Sequence, residues 1–481
     1  MPEVFATFTA QKGLVTEGLK DGKIRRIRRG IYTTNLAEPL EAVVKRNLWP
    51  VIALVVPNGI VSHRTAIEGR PSAGGVVVVT GKYNRVIDLP GLKIRQLRGP
   101  GPLQGDAPFI AGLHMSSRPR LFLQCLSGKV YGRESPFLSG EEIEVQLEKL
   151  LLLGEDKITS IRDQARKLSG QLNMEAEFAH LDAVIGTLLG TRSTKLTSKT
   201  AIARQAGDPY DSNRLEIFQA LFEEMNSWPA TPRRNTVISG PEFQNIGFFD
   251  AYFSNFIEGT EFEIDEAIDI AFHNKIPALR PEDAHDVLGT FRIVANSNEM
   301  STKISELSPS DFLDLLRSWH LTIMQGRLNK RPGQFKEVAN QAGHTLFVHP
   351  TLVKGTLRRG FELGRGIRSA FGRAAFFMFL TAEVHPFDDG NGRLARAVAN
   401  AELTSHQECR LIIPTVFRVE YIDSLRVLSR EKHPRTYSRM ADQAQEFTAA
   451  IDFTTLERAR ADLAAWNAFD MDSDARLRRP R

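Results

Sequence analysis

Only two cysteines, Cys125 and Cys409, occur in 481 residues. That scarcity excludes a disulfide framework and a multi-cysteine zinc site, and it fits a reducing compartment. Long apolar runs are also missing. The most apolar stretches, Val51–Val56 and Ala374–Leu380, fall far short of the roughly 18 residues that a membrane-spanning helix needs. Met1 to Lys12 has neither the charged start nor the long apolar stretch of a secretory leader. No internal repeat and no low-complexity tract is present. These absences point to a cytoplasmic protein with no membrane partner.

What is there is ordinary globular composition. With 42% hydrophobic and 25% charged residues and a net charge of +5, wholesale disorder is excluded. At roughly 100–200 residues per domain, the length predicts two to four domains.

The chain divides into three parts. Residues 1–115 read as mixed α and β structure: a short helix at Leu14–Leu19, a strand-like run ending at Tyr32, and two buried strands at Val51–Val56 and Val76–Val79. The two strands are predicted from β-branched runs bounded by Pro and Gly. Residues 120–200 read as a helical connector, with Leu147, Leu150, Leu151, Phe178, Leu181, Val184 and Leu188 at helical spacing. The polar segment Thr191–Thr200 reads as a linker. From 210 to 465 the pattern is helical, with Pro- or Gly-rich breaks at 229–241, 328–333 and 387–392.

Charge is concentrated at the start. Residues 1–35 carry Lys12, Lys20, Lys23, Arg25, Arg26, Arg28 and Arg29 against Glu3, Glu17 and Asp21, a net +4. Such a cluster is either a solvated surface or a set of phosphate-backbone contacts, in which each cation displaces a counterion.

The richest segment runs His385-Pro-Phe-Asp-Asp-Gly-Asn-Gly-Arg-Leu-Ala-Arg396. Apolar helical patterns precede and follow it, so it reads as a Gly-rich loop opening a helix. A helix N-terminus presents unpaired N–H groups and a positive dipole end. Gly390 and Gly392 let the backbone approach an anion. Arg393 and Arg396 share one helix face and can reach the same phosphates. Asp389 can hold a divalent cation, and His385 is placed to take a proton. Together these parts describe a nucleoside triphosphate site with a built-in base.

The segment resembles the signature of the Fic family, HPF-x-(D/E)-GN-G-R-x-x-R, at every fixed position. The resemblance implies a mainly α fold: an all-helical core with a β-hairpin flap, here following a smaller mixed α/β N-terminal domain and the helical connector. It implies transfer of AMP from ATP, with Mg²⁺ or Mn²⁺, to a Ser, Thr or Tyr hydroxyl of a protein, the chain itself included. His385 would be the general base and Asp389 the metal ligand. Gly390, Asn391 and Gly392 would form the anion hole, Arg393 and Arg396 would hold the β and γ phosphates, and Phe387 would anchor the loop. Gly392, where the Doc kinases carry Lys, favours AMP transfer.

Two more segments extend the resemblance. Ser254-Asn-Phe-Ile-Glu258-Gly259 is similar to the inhibitory motif (S/T)-x-x-x-E-(G/N); Glu258 would pair with Arg396 and occupy the charge meant for the γ phosphate. Gly333–Val348 resembles the flap, with Gly343, His344, Thr345 and Leu346 at its tip, and would hold a target peptide as an added strand. His344 and His349 are expected to be loop residues rather than metal ligands.

Near the N-terminus, Gly22–Tyr32 and Val61–Ala66 resemble AbiEi-type abortive-infection antitoxins with a truncated winged-helix start. That resemblance implies DNA as a partner through Arg25, Arg26, Arg28 and Arg29, with His63 a packed or capping residue. Three functions follow: a self-inhibited protein adenylyltransferase, an enzyme that removes AMP from modified proteins by means of Glu258, or a non-catalytic nucleotide-sensing regulator. A dimer is compatible with each.

Overall fold

In the computed structural model, which describes residues 2–7, 12–130, 135–472 and 475–479, the fold is mainly helical with small sheets. The chain separates into two compact units, Met1–Gln205 and Ala206–Arg481.

The first unit opens with three short strands, β1 (Val4–Ala6), β2 (Arg25–Arg28) and β3 (Ile31–Thr33), paired antiparallel in the order β1-β3-β2. The predicted short helix is present as Lys12–Lys20. Gly30, at φ +88°, makes the turn between β2 and β3, a left-handed conformation that favours glycine. Ile27 and Ile31 point into the core, while Arg26, Arg28 and Arg29 are exposed. Arg25 differs from its neighbours. Its guanidinium donates to the carbonyls of Leu36 (3.0 Å) and Glu38 (2.9 Å), so it is engaged within the fold rather than offered to DNA. The side chain of Lys12 lies outside the described residues.

A six-stranded sheet follows, in the order β6-β7-β5-β4-β9-β8. Its members are β4 (Ile60–Val61), β5 (Val76–Gly81), β6 (Arg85–Leu89), β7 (Leu92–Arg98), β8 (Ala107–Pro108) and β9 (His114–Met115). The expected strand at Val76–Val79 is β5. It pairs parallel with β7 and antiparallel with β4, and Val76 to Thr80 are all buried, which explains a continuous apolar run without alternation. The other expected strand, Val51–Val56, is instead part of a helix, Leu48–Val55. A short apolar run does not by itself distinguish a buried strand from a buried helix. Here Pro50 falls in the first helical turn, where its missing N–H costs nothing, and Val51 and Ile52 pack with Val43 and Val44 in the core.

Between 118 and 205 the described residues form five helices, as the spacing of their leucines predicts: Arg118–Leu126, Gly140–Leu151, Glu155–Leu172, Glu175–Leu188 and Lys199–Gln205. Leu147, Ile158, Ala165, Leu181 and Ile185 form their shared core. The polar stretch Thr191–Thr200 is tied down at one end. The buried carboxylate of Glu144 accepts hydrogen bonds from the backbone N–H groups of Thr197 (2.9 Å) and Ser198 (2.6 Å). His63 is buried, with Nδ1 2.9 Å from the Ser62 hydroxyl. Burial pushes its pKa down to about 3.

In the second unit the predicted breaks at 229–241, 328–333 and 387–392 fall at helix junctions, with Gly240 and Asn391 already opening the next helices and Leu328–Lys330 forming a short 3-10 turn. Gly240–Ile257 packs on Pro281–Val294 and Asn391–Ser405, and Ala370–Val384 packs closely on Asn391–Ser405. A Cβ at Gly247 would lie 2.8 Å from Ala295 Cα, so a side chain there would force the backbones apart. The flap is the hairpin β10 (Gln341–Ala342) and β11 (Thr345–Leu346), turned at Gly343 with φ +56°. Among the described residues, no helix is long and apolar enough to cross a membrane.

Candidate active site

The helix Ala370–Val384 is apolar on all sides and almost entirely buried. Ser369 caps its start by accepting from the Gly372 N–H (3.1 Å). His385 ends it in the left-handed conformation (φ +51°, ψ +61°). This turns the chain sharply into the loop. Gly390, at φ +73°, is the N-cap of the next helix, Asn391–Ser405.

Between these ends the loop is locked from inside. Phe387 is fully buried and stacks on His320, with ring centroids 3.8 Å apart and 6° between planes. The Asn391 side chain accepts from the Phe387 N–H (2.9 Å) and donates to the Phe387 carbonyl (3.0 Å). Its amide therefore braces the loop; of Asn391, only the backbone at the helix start is left for an anion. His320 braces the other side. Its Nδ1 accepts from the Gly333 N–H (2.9 Å), so Nε2 carries the hydrogen and donates to the Asp389 carbonyl (3.0 Å). Burial holds His320 neutral, with its pKa down to about 4.

His385 itself stacks on Phe347 of the flap segment, centroids 3.8 Å apart and 7° between planes. Its Nδ1 lies 3.2 Å from the Ala382 carbonyl. A carbonyl only accepts, so Nδ1 carries the hydrogen and Nε2 keeps its lone pair. Burial lowers the pKa of His385 to about 4. The group is an uncharged acceptor at neutral pH, which is the state a general base needs.

The two acidic residues of the loop part company. Asp388 pairs with Arg331 (3.0 Å) and faces away into a structural contact. Asp389 accepts from the Gly390 N–H (2.7 Å) and keeps 40% of its side-chain surface exposed. Among the described residues no cluster of three or more His, Cys, Asp or Glu side chains could hold a metal. A single carboxylate fits a Mg²⁺ or Mn²⁺ ion that arrives on phosphates and keeps most of its water ligands.

Both arginines are buried, and each already has a carboxylate. Arg393 pairs with Asp286 (2.7 Å), which also receives Arg327 (2.8 Å). Arg396 pairs with Glu258 (2.7 Å) and donates to the Ser254 hydroxyl (2.8 Å) and carbonyl (2.9 Å). Tyr421 adds a longer contact to it at 3.4 Å. Glu258 is the C-cap of the helix Gly240–Ile257, and Gly259 follows at φ +89°. The Ser254 and Glu258 side chains thus lie one turn apart and close on the same guanidinium. Burial works against the Glu258 charge, but Arg396, then Arg393, hold its carboxyl below the ordinary range. A Cβ at Gly392 would lie 2.1 Å from Glu258 Oε1, so a side chain at 392 would make the carboxylate shift from its present position.

A cavity of about 320 Å³ opens beside these groups. Its walls include His385, Gly392, Arg396 and Glu258 together with Glu383, Leu425 and Ser429. Ala342, Gly343, Thr345 and Phe347 of the flap also line it, while His344 and Leu346 are exposed. Arg214 fixes the flap strand through the Leu346 carbonyl (2.5 Å) and pairs with Glu383 (2.8 Å). The residues of the loop, of Ser254–Gly259 and of the hairpin that sequence reasoning singled out come together around this cavity. Sequence reasoning missed Asp286, His320, Lys336, Phe347 and Tyr421, whose parts come from tertiary placement and not from a local pattern.

A profile of the Fic/DOC family matches residues 309–403, a span that contains the flap and the loop but not Ser254–Gly259. A Fido domain-containing protein of Dictyostelium discoideum is 31% identical over 103 residues, which is 20% of this chain and 72% of that protein. Among solved structures, residues 134–508 of Fic-1 from C. elegans align at 17% identity, covering 65% of this chain and 96% of that one, with a TM-score of 0.36. A Fic domain-containing signaling protein from Bacteroides thetaiotaomicron aligns at 14% identity, covering 55% of this chain and 100% of that one, also at 0.36. By its match to the family profile and to the Dictyostelium relative, the chain belongs to the Fic/DOC family.

Proposed function

We propose that this protein is a self-inhibited protein adenylyltransferase. The observation that carries the reading is the Glu258–Arg396 pair at the edge of the cavity that also holds His385. A nucleotide seated there would meet the free N–H groups at the start of the helix Asn391–Ser405, as anions do at helix N-termini. The lone pair on His385 Nε2 would take the proton of a target Ser, Thr or Tyr hydroxyl. The hydroxyl oxygen would bond to the α-phosphorus of ATP as the bond to the β-phosphate oxygen breaks and pyrophosphate leaves. Mg²⁺ or Mn²⁺, held by Asp389 on the phosphates, would supply charge neutralisation there. The flap would hold the target as an added strand.

In the wild-type arrangement Arg396 serves Glu258. Its planar fork serves one partner well at a time, so a γ phosphate must displace the carboxylate. The same carboxylate lies in the cavity with His385, and this favours a second reading, removal of AMP by a water that Glu258 orients. The two readings separate with ATP labelled at either end and the full-length chain carrying Glu258→Gly. AMP transfer predicts protein labelled from the α position, none from the γ position, and no labelling when His385→Ala is added. Label from the γ position would make it a phosphotransferase. A pre-labelled target that loses AMP only when Glu258 is present would favour removal.

For the first unit, we infer a phosphate-contacting surface at Arg26, Arg28 and Arg29, with DNA as the partner. Its support is their exposure on one hairpin and the net positive charge of the segment.

A further inference from the structure

The flap segment reaches the base as well as the cavity. Its stem grips the backbone on both sides of His385. The Lys336 N–H donates to the Pro386 carbonyl (2.9 Å), and its ammonium donates to the Val384 carbonyl (3.4 Å). Asn340 donates to the Phe387 carbonyl (3.0 Å) and receives the same ammonium on Oδ1 (2.6 Å). Phe347 returns to this stem through its N–H, which donates to the Asn340 carbonyl (3.2 Å), and lays its ring on His385. The Lys336 ammonium lies 5.9 Å from the centre of that ring.

Two features are out of the ordinary. Lys336 is only 3% exposed, and its ammonium donates to neutral oxygens and not to a carboxylate. Lysine is almost never buried without a pairing charge, because desolvation penalises the ammonium. The imidazole, for its part, is restrained twice: Nδ1 by Ala382 along one edge, and Phe347 across one face.

We propose that Lys336 and Phe347 are positioning residues for His385, so that the flap stem fixes both the plane of the base and the charge beside it. The inference rests on the reading of His385 as general base and extends it to the segment that would receive the target. Phe347 sets the ring plane by stacking. Lys336 adds a positive charge near a ring that must stay neutral, and a like charge disfavours protonation. The other charges facing His385 are Glu258 from the inhibitory segment and Asp389 from the loop, both of opposite sign. Those facing Lys336 are Arg214 and Asp388. Burial, with Arg214 second, brings Lys336 down to about 7, so it is charged throughout the lower range in which His385 titrates.

The test is histidine NMR on the full-length chain, with the His385 signal identified by its loss in His385→Ala. Replacing Phe347 by Leu removes the ring current, and the His385 Hε1 resonance should move downfield; Phe347→Tyr should leave it in place. Lys336→Gln should raise the pH at which His385 titrates by about half a unit or more, while Lys336→Arg should not. An Hε1 signal unmoved in Phe347→Leu, or a titration that is the same in Lys336→Gln and Lys336→Arg, overturns the proposal. Phe347 is only half-buried, so its variants remain informative if Lys336→Gln fails to fold. None of these readings requires transfer. A chain that shows the spectral changes but never labels from ATP keeps the clamp and loses the adenylyltransferase reading.

Discussion

The hairpin Arg25–Thr33 and the loop His385–Arg396 both present arginines suited to phosphate, in opposite surroundings. On the hairpin, Arg26, Arg28 and Arg29 stand in solvent. At the loop, Arg393 and Arg396 are 3% and 2% exposed, each held by a carboxylate. Exposed cations bind phosphate by releasing counterions, with little geometry and strong salt dependence. Buried ones are already oriented, and binding there becomes an exchange of one anion for another in a water-poor site. The first arrangement suits contact with a polymer backbone. The second would suit a switch, in which one carboxylate governs whether the guanidinium is available.

The contrast can be broken most forcefully at the base. His385→Ala should lower AMP transfer by about 10²–10⁴-fold, the usual contribution of a general base. ATP binding measured by calorimetry should change little, since the arginines and the helix N-terminus remain. Near-normal labelling by this variant would remove His385 from the chemistry.

At the hairpin the expected effect is smaller and reads out against salt. Three phosphate contacts at a log–log slope of about −0.9 each predict roughly a 40-fold loss of duplex affinity between 50 and 200 mM salt. Replacing Arg26, Arg28 and Arg29 with alanine should abolish that dependence, whereas Arg25→Ala should act through stability. Anisotropy of a labelled duplex that shows no binding at low salt would leave the hairpin a structural role.

Smaller again is the difference between the two loop aspartates. Asp389→Ala should raise the Mg²⁺ concentration needed for half-maximal transfer by about tenfold or more. Asp388→Ala should leave it unchanged and cost little stability, because its pair with Arg331 is open to solvent. Reversed outcomes would show that the loop is read one residue out of register. The mildest signal is the pH profile. Burial lowers His385 from 6.5 to about 4, so more acid is required to protonate the base. Transfer should persist as pH falls through 6.5 and decline only on approach to about 4. A decline centred at 6.5 would mean that the ring is solvated in the working enzyme.

The loop was legible in the sequence because its parts are contiguous: one short segment carries His385, the glycines and both arginines. Ser254 and Glu258 were legible for a similar reason, since one helical turn sets their spacing. Legibility failed where a role depends on what lies opposite. Nothing local marks Phe347 as the residue that meets His385, or Asp286 as the partner of Arg393. Asn391 appeared as part of the anion hole, yet its side chain closes the loop. Val51–Val56 carried strand-forming residues into a helix because both faces of that run pack against apolar neighbours. Arg25 sat in a basic run like its neighbours, and only the fold shows it bound to the carbonyls of Leu36 and Glu38.

The central claim is that Glu258 withholds Arg396 from phosphate. An intramolecular carboxylate acts at high effective concentration, and a coupling of about 1–3 kcal/mol corresponds to roughly 5–150-fold in the active population. The decisive measurement is the initial rate of self-labelling from α-labelled ATP in the full-length chain, wild type beside Glu258→Gly, with Glu258→Gly plus Arg396→Ala as the control. The account predicts a rise within that range for the single variant and a slow double variant, because Arg396→Ala also removes the phosphate contact. A folded, ATP-binding Glu258→Gly chain with an unchanged or lower rate would contradict it.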